Sequence, residues 1–94
     1  MSQEKIKSFL DGLGINQPGK MENDSYVIVL PNSNAYSKIY TILDKSDQTD
    51  LDIDKINMDE NTSSMTYLSD DFDITLTADF DNDSYTMELK EAKD

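Results

Sequence analysis

The clearest structural signal in the chain is the stretch Asp24-Ser25-Tyr26-Val27-Ile28-Val29-Leu30-Pro31. A short polar and acidic lead-in runs directly into five consecutive apolar residues, three of them Val or Ile, and the run ends at a proline. An apolar run this short and this rich in β-branched residues is typical of a strand that is buried on both faces. Because proline has no N–H to donate to a ladder, the strand is predicted to end at Leu30.

Helices are predicted on both sides of this strand. Before it, apolar residues recur at helical spacing between a suitable N-cap, Ser2, and a glycine suited to end a helix, Gly14; they are Ile6, Phe9, Leu10 and Leu13. The linker 15–23 contains a Pro18-Gly19 turn. After the strand, Asn32 or Ser33 can cap a second helix that extends to Lys45, with an apolar face formed by Ala35, Ile39, Ile42 and Leu43 and extended by Tyr36 and Tyr40.

Four further strands follow the second helix. Leu51 and Ile53 alternate with aspartates, and the apolar phase then slips to Ile56 and Met58, which predicts a β-bulge near Asp54-Lys55. After a turn over 59–62, three more segments show a period of two, with inward residues Met65 and Tyr67, then Phe72, Ile74, Leu76, Ala78 and Phe80, then Tyr85, Met87 and Leu89. Residues 1–94 are therefore predicted to form one α+β domain of order α-β-α-β-β-β-β, in which two helices cover one face of a five-stranded, mostly antiparallel sheet.

Charge dominates the composition. The chain has 20 Asp and Glu against 8 Lys, with no Arg, for a net charge of −12. A field of this sign repels nucleic acids and membrane surfaces and attracts basic partners. No apolar run is long enough for a signal peptide or a membrane span, so an intracellular protein without membrane contact is expected.

Metal, cofactor and enzyme chemistry are not expected. The chain has neither Cys nor His, which removes thiolate ligands and the commonest general base. Asp79, Asp81 and Asp83 have the spacing of a calcium loop, but Ser84 stands where such a loop needs glycine and Lys90 where it needs glutamate. Asp50, Asp52 and Asp54 fail in the same way, with Lys55 at the glycine position. No nucleophile elbow or phosphate loop is present.

Mimicry of DNA is the remaining physical hypothesis. Outward aspartates on strands about 4.8 Å apart resemble the regular negative charge that DNA presents to a basic groove. A merely solvated acidic face explains the same composition equally well, so charge alone leaves both interpretations open.

Several short strings, in their order and joint spacing, resemble the phage uracil-DNA glycosylase inhibitor family of acidic DNA mimics. Asn23-Asp24-Ser25 resembles the polar tip of that family's first strand, and Leu30-Pro31 resembles its end. Thr49-Asp50-Leu51-Asp52-Ile53 resembles the start of the second strand, Asp59-Glu60-Asn61-Thr62 the acidic turn after it, and Ser69-Asp70 the end of the third. The resemblance covers nearly the whole chain through spacing rather than through one specific motif.

The resemblance implies a two-part binding site. Asp24 and Ser25 take the places of the tip that enters the DNA-binding groove of the glycosylase, and Asp70 flanks them as a phosphate substitute. Uracil-DNA glycosylase inserts a leucine into the minor groove when it flips uracil out, and the family captures that leucine in an apolar pocket. The matching pocket positions here are Val29, Ala35, Ile39, Ile53, Met65 and Tyr67.

The implied function is inhibition of uracil-DNA glycosylase in a one-to-one protein complex, in the cytoplasm of an infected bacterial host cell. The inhibitor needs no cofactor or metal, and it contacts neither nucleic acid nor membrane directly. Two alternatives remain open. The chain is also compatible with a DNA mimic aimed at another phage-defence nuclease, such as a CRISPR effector or a restriction enzyme, and with an acidic adaptor domain that has no nucleic-acid-binding partner.

Overall fold

The computed structural model describes residues 2–92. Helix α1 spans Gln3–Leu13 and helix α2 spans Ser33–Lys45. The Ser2 side chain accepts a hydrogen bond from the Lys5 amide, which confirms the predicted N-cap of α1. Of the two candidates for α2, Asn32 is the N-cap, because its side chain accepts a hydrogen bond from the Ala35 amide, and Ser33 is the first residue of the helix. Gly14 ends α1 in the left-handed conformation, with φ of 80°, which a glycine adopts without steric cost.

Seven strands form one antiparallel sheet. Their order across the sheet is β1-β2-β7-β6-β5-β3, and β4 pairs with the same edge of β5 as β3 does. The strands are β1 (Lys20–Glu22), β2 (Ser25–Leu30), β3 (Asp50–Leu51), β4 (Asn57–Met58), β5 (Thr62–Leu68), β6 (Phe72–Asp79) and β7 (Ser84–Glu91).

Both helices cover the same face of this sheet. The ring of Phe9 on α1 lies 5.1 Å from that of Phe72, and the ring of Tyr36 on α2 lies 5.6 Å from that of Tyr85. Residues of β6 on this face are buried in strict alternation, and with the inner residues of the other long strands and of the helices they form a single apolar core. The predicted α+β class, with helices on one face of an antiparallel sheet, is confirmed.

The other face of the sheet is open and carries mainly hydroxyl groups. In β6, Thr75 and Thr77 are half-buried on this face between Asp73 and Asp79. The Thr66 and Thr75 hydroxyl oxygens are 3.1 Å apart and share a hydrogen bond across β5 and β6. The open face of β6 therefore carries the row Asp73, Thr75, Thr77 and Asp79, with its two carboxylates at opposite ends.

The structure corrects the predicted strands at four points. The linker 15–23 contains an additional strand, β1, so that β2 is not an edge strand. In place of a bulge at Asp54-Lys55, one turn of 3₁₀ helix, Ile53–Lys55, separates β3 from β4. Phe80 is not inward, because the loop between β6 and β7 begins there and leaves its side chain exposed. Finally, β2 is buried on one face only, since Val29 points to the open face and is 69% exposed.

Membrane insertion through a helix has no support within residues 2–92, where neither α1 nor α2 is both long and apolar enough to cross a bilayer.

Candidate functional site

The predicted acidic tip is a β-hairpin turn. Asn23 and Asp24 connect β1 to β2, and the hairpin is closed by the pair Glu22 and Ser25. Asn23 takes a positive φ of 55°, a conformation that asparagine tolerates better than most residues. Asp24 is exposed at the turn, whereas Ser25 is only 7% exposed because it pairs with Lys90 of β7 inside the sheet. The tip therefore presents a carboxylate with a recessed hydroxyl beside it.

Asp70 lies in the turn between β5 and β6 at the same end of the sheet. The cross-strand register connects the two sites, because Ser25 pairs with Lys90, Lys90 with Asp73, and Asp73 with Leu68. The Ser69 hydroxyl fixes this turn, since it accepts a hydrogen bond from the Phe72 amide at 3.0 Å and donates one to the Phe72 carbonyl at 2.9 Å.

Strand spacing sets the separation of the two acidic sites. Strand β2, which follows Asp24, lies two positions from β6 and three positions from β5 in the sheet. This spacing places the turn that contains Asp24 about 10–15 Å from the turn that contains Asp70. This is of the same order as the width of the DNA major groove, about 12 Å. The structure therefore brings together, at one end of the sheet, all three residues of the predicted tip: Asp24, Ser25 and Asp70.

The carboxylates at this end differ in what they contact. Asp71 forms an ion pair with Lys5 of α1 at 3.4 Å, and Glu88 forms one with Lys90 at 3.6 Å. Within residues 2–92, the carboxylates of Asp24 and Asp70 accept no hydrogen bond and form no ion pair. Both are exposed, so their negative charge is available to a partner without breaking an internal contact.

An open concavity of about 990 Å³ surrounds the hairpin. Four carboxylates and a single ammonium group line it, so its field is negative. The lining residues are Met21, Glu22, Asn23, Asp24, Ser25, Val27, Glu88, Lys90 and Glu91. The sequence analysis did not include Glu22 and Glu88 in the site. The Asn23-Asp24 pair, as a two-residue hairpin turn, was the signal that could have revealed β1 and with it Glu22.

The six residues predicted for the apolar pocket do not come together. Ile39, Met65 and Tyr67 are buried in the core on the helix-covered face, and Ala35 is half-buried on α2. Val29 lies on the opposite face, because side chains alternate along β2 and Ile28 and Leu30 take the core positions. Ile53 is 77% exposed in the 3₁₀ turn at the sheet edge. A single leucine side chain cannot contact both faces of the sheet, so this pocket assignment is corrected.

Tyr67 is the one member of this group with unusual electrostatics. Its side chain is almost fully buried, and its hydroxyl group has no hydrogen-bond partner within residues 2–92. Burial, together with the nearby carboxylate of Asp44 and the hydroxyl groups of Tyr40 and Tyr36, raises the pKa of Tyr67 to about 12. The phenol therefore stays neutral at physiological pH.

Metal chemistry finds no support in the described part of the chain, where no group of three or more carboxylates is arranged to hold an ion. Comparison of the chain with protein-family models, with curated proteins and with solved structures finds no match in any of the three. Function must therefore be argued from the geometry and charge of the hairpin end.

Proposed function

We propose that the protein is a DNA mimic that inhibits uracil-DNA glycosylase by occupying its DNA-binding groove, in a one-to-one complex that needs no cofactor or metal. The observation that carries the proposal is the pair of exposed carboxylates, Asp24 and Asp70, which contact no partner among residues 2–92 and lie in turns at one end of the sheet. They act as substitutes for two phosphates. A chain that carries a net charge of −12 is attracted to a basic groove and repelled by DNA itself.

Three further features support this function. The turns that carry the two carboxylates are held by backbone pairing and by the Ser69 hydroxyl group, so little conformational freedom is lost on binding. The α+β class agrees with what the resemblance to the inhibitor family implies. The recessed Ser25 and the acidic concavity beside it add hydrogen-bonding groups around the tip.

Capture of the glycosylase leucine is not part of this proposal in its six-residue form, because Val29 lies on the opposite face of the sheet from the core residues and Ile53 is exposed in the 3₁₀ turn at the sheet edge. This separation also favours a second candidate, a DNA mimic of another phage-defence nuclease, for which a basic groove is sufficient and no leucine pocket is needed. The two candidates share the phosphate-substitute role of Asp24 and Asp70 and differ in the enzyme that is inhibited.

The test measures uracil release from a uracil-containing oligonucleotide by a family-1 uracil-DNA glycosylase, with increasing amounts of the protein, at low salt and at about 0.15 M salt. We expect inhibition to saturate at one inhibitor per enzyme and to persist at the higher salt. Asp24→Lys should weaken inhibition at least about thirtyfold, because reversing a charge in a desolvated contact costs 2 kcal/mol or more.

Asp81→Lys is the matched control. It makes the same charge change on an exposed aspartate in the loop after β6, at the opposite end of the sheet. Equal losses for the two variants would mean that only net charge matters and would remove the tip assignment. If the unaltered protein fails to inhibit at either salt concentration, the glycosylase is not the target, and nucleases with basic grooves become the enzymes to assay.

A further inference from the structure

The edge of the sheet at β5 carries an apolar surface that the glycosylase proposal does not use. Residues 52–58 are attached to β5 at two points. The Asp52 amide donates a hydrogen bond to the Thr66 carbonyl at 2.9 Å, and Asn57 pairs with Ser64. Thr66 and Ser64 are two residues apart on β5, about 7 Å. The chain between these two points therefore bends outward as a compact arch, which we call the edge arch, residues 52–58.

Internal hydrogen bonds fix the shape of the edge arch. The Lys55 amide donates to the Asp52 carbonyl at 3.0 Å, and the Asp54 amide donates to the Asp52 carboxylate at 3.1 Å. These bonds form the single 3₁₀ turn and point its apolar side chains away from the core. The arch is thus a defined surface rather than a loose loop.

Three large apolar side chains of the edge arch face solvent. Ile53 is 77% exposed, Met58 is 71% exposed, and Ile56 is exposed as well. Exposed apolar side chains grouped within six residues of the chain and framed by polar residues are a common feature of protein interaction sites. Five carboxylates and one ammonium group flank this cluster along the chain: Asp50, Asp52, Asp54, Asp59, Glu60 and Lys55.

We propose that the edge arch is a second docking surface, whose partner is a cationic protein segment with an apolar anchor. The charge of the flanking residues selects the partner. A second copy of this acidic chain, a nucleic acid and an anionic membrane would all be repelled, whereas a lysine- or arginine-rich segment is attracted. Ile53 and Met58 then bury the apolar anchor while Asp54 and Glu60 meet the cationic groups around it.

The edge arch is separate from the hairpin end. Five strand spacings lie between β1 and β3 in the sheet, about 24 Å. A partner bound at Asp24 leaves Ile53 accessible, so the chain can hold two basic partners, or two parts of one partner, at opposite edges. This proposal does not rest on the glycosylase being the target.

The test titrates the isotope-labelled protein with a short lysine-rich peptide that carries leucines, and with a matched peptide that has serine at the leucine positions. Amide chemical shifts report the place of binding. With the leucine peptide we expect shifts concentrated in residues 50–62. With the serine peptide we expect weaker shifts spread over all acidic surfaces.

Ile53→Ser should weaken binding of the leucine peptide about tenfold, because most of one apolar contact is lost. Val29→Ser is the matched control, since it removes an exposed apolar side chain of similar size from the opposite side of the molecule. This variant should bind the leucine peptide with the same affinity as the unaltered protein. Urea denaturation verifies that both variants fold.

Two results would overturn the proposal. The first is that the leucine peptide shifts the protein's amide signals in the same distribution as the serine peptide does, or that Ile53→Ser leaves the affinity for the leucine peptide unchanged. The other is sedimentation that shows a dimer of the free protein abolished by Ile53→Ser, which would identify the occupant of the edge arch as a second copy. Neither result bears on inhibition of the glycosylase through Asp24.

Discussion

The two ends of the sheet are both acidic, but their carboxylates differ in the contacts that they make within the protein. At the hairpin end, Asp24 and Asp70 have no partner within residues 2–92. At the far end, Asp59 accepts hydrogen bonds from the amides of Asn61 and Thr62 at 2.8 and 2.7 Å, and Asp79 accepts one from the Asn82 amide at 3.2 Å. The carboxylates of Asp59 and Asp79 thus build turns at the far end, whereas those of Asp24 and Asp70 at the hairpin end are available to a partner.

This difference shows that net charge is a poor guide to a binding surface. A carboxylate that already accepts backbone amides gains less from a cationic partner than one that is merely hydrated. Of the many acidic residues in the chain, those with no internal role are therefore the better candidates for phosphate substitutes. Substitutions at each end should therefore have different effects.

The largest effect is expected from Gly19, which directly precedes β1 and packs closely against β2. A Cβ atom at Gly19 would lie 2.7 Å from Ile28 Cγ1, 2.8 Å from a Tyr26 ring carbon and 2.8 Å from the Val27 carbonyl oxygen. Gly19→Ala should therefore lower the free energy of unfolding by about 1–3 kcal/mol. Urea denaturation followed by circular dichroism measures it.

Gly12→Ala is the control for Gly19→Ala. Gly12 lies in α1 with open space around it, and alanine is the better helix former by up to about 1 kcal/mol. The two substitutions should therefore change stability in opposite directions. Equal stability of Gly19→Ala and the unaltered protein would mean that the segment before β1 packs more loosely on β2 than the distances indicate.

The next largest effect is expected at Asp59. Asp59→Ala removes the acceptor of two backbone amides, so the urea midpoint should fall. Asp81→Ala, which changes an exposed aspartate at the same end, should leave the midpoint nearly unchanged. A similar fall for both variants would indicate that all far-end aspartates are structural and would erase the distinction among them.

A pH dependence follows from the same contacts. The amides of Asn61 and Thr62, helped by the Thr62 hydroxyl, hold the pKa of Asp59 below its ordinary value of 3.8. A lowered pKa in the folded state contributes stability above the unfolded value, and this contribution is lost as the pH falls through the folded value. The difference in urea midpoint between the unaltered protein and Asp59→Ala should thus be full at neutral pH and shrink in acid. A difference that is constant down to acid pH would show that the ionised form is not what the turn requires.

The smallest effect is expected at Asp70. Asp70→Asn removes an exposed carboxylate without an internal partner, so stability should stay the same or rise slightly, since repulsion within the acidic chain decreases. Added salt should reduce any gain by screening. Thermal unfolding at low and high salt measures this, and a clear loss of stability would show that Asp70 has a structural role after all.

The local signals of the sequence were sufficient for most of the fold. Ser2, Asn32 and Gly14 marked helix ends through their own capping geometry, and Pro31 marked the end of β2 because it cannot donate to the ladder. Strict alternation predicted β6 and β7. These features depend on neighbours within a few residues, which is the range over which a sequence pattern is informative.

The errors arose where distant packing decides the outcome. Five apolar residues in β2 suggested burial on both faces, yet both helices cover the same face and leave Val29 in solvent. Ile53 fitted an alternating strand, but the bond from the Lys55 amide to the Asp52 carbonyl turns the chain outward. Whether such a residue is buried or exposed depends on which surfaces of the sheet the helices cover. The pocket prediction was wrong at Val29 and Ile53 for this reason.

Both lateral edges of the sheet are short, and this matters for the behaviour of the protein at high concentration. On one side, β1 has only three residues and begins and ends with the charged Lys20 and Glu22. On the other, the 3₁₀ turn interrupts the edge and leaves β3 and β4 with two residues each. Long unpaired edges are templates for cross-β polymerisation, and charged or interrupted ones are not. Neither edge therefore offers a second chain a long, regular row of unpaired backbone groups.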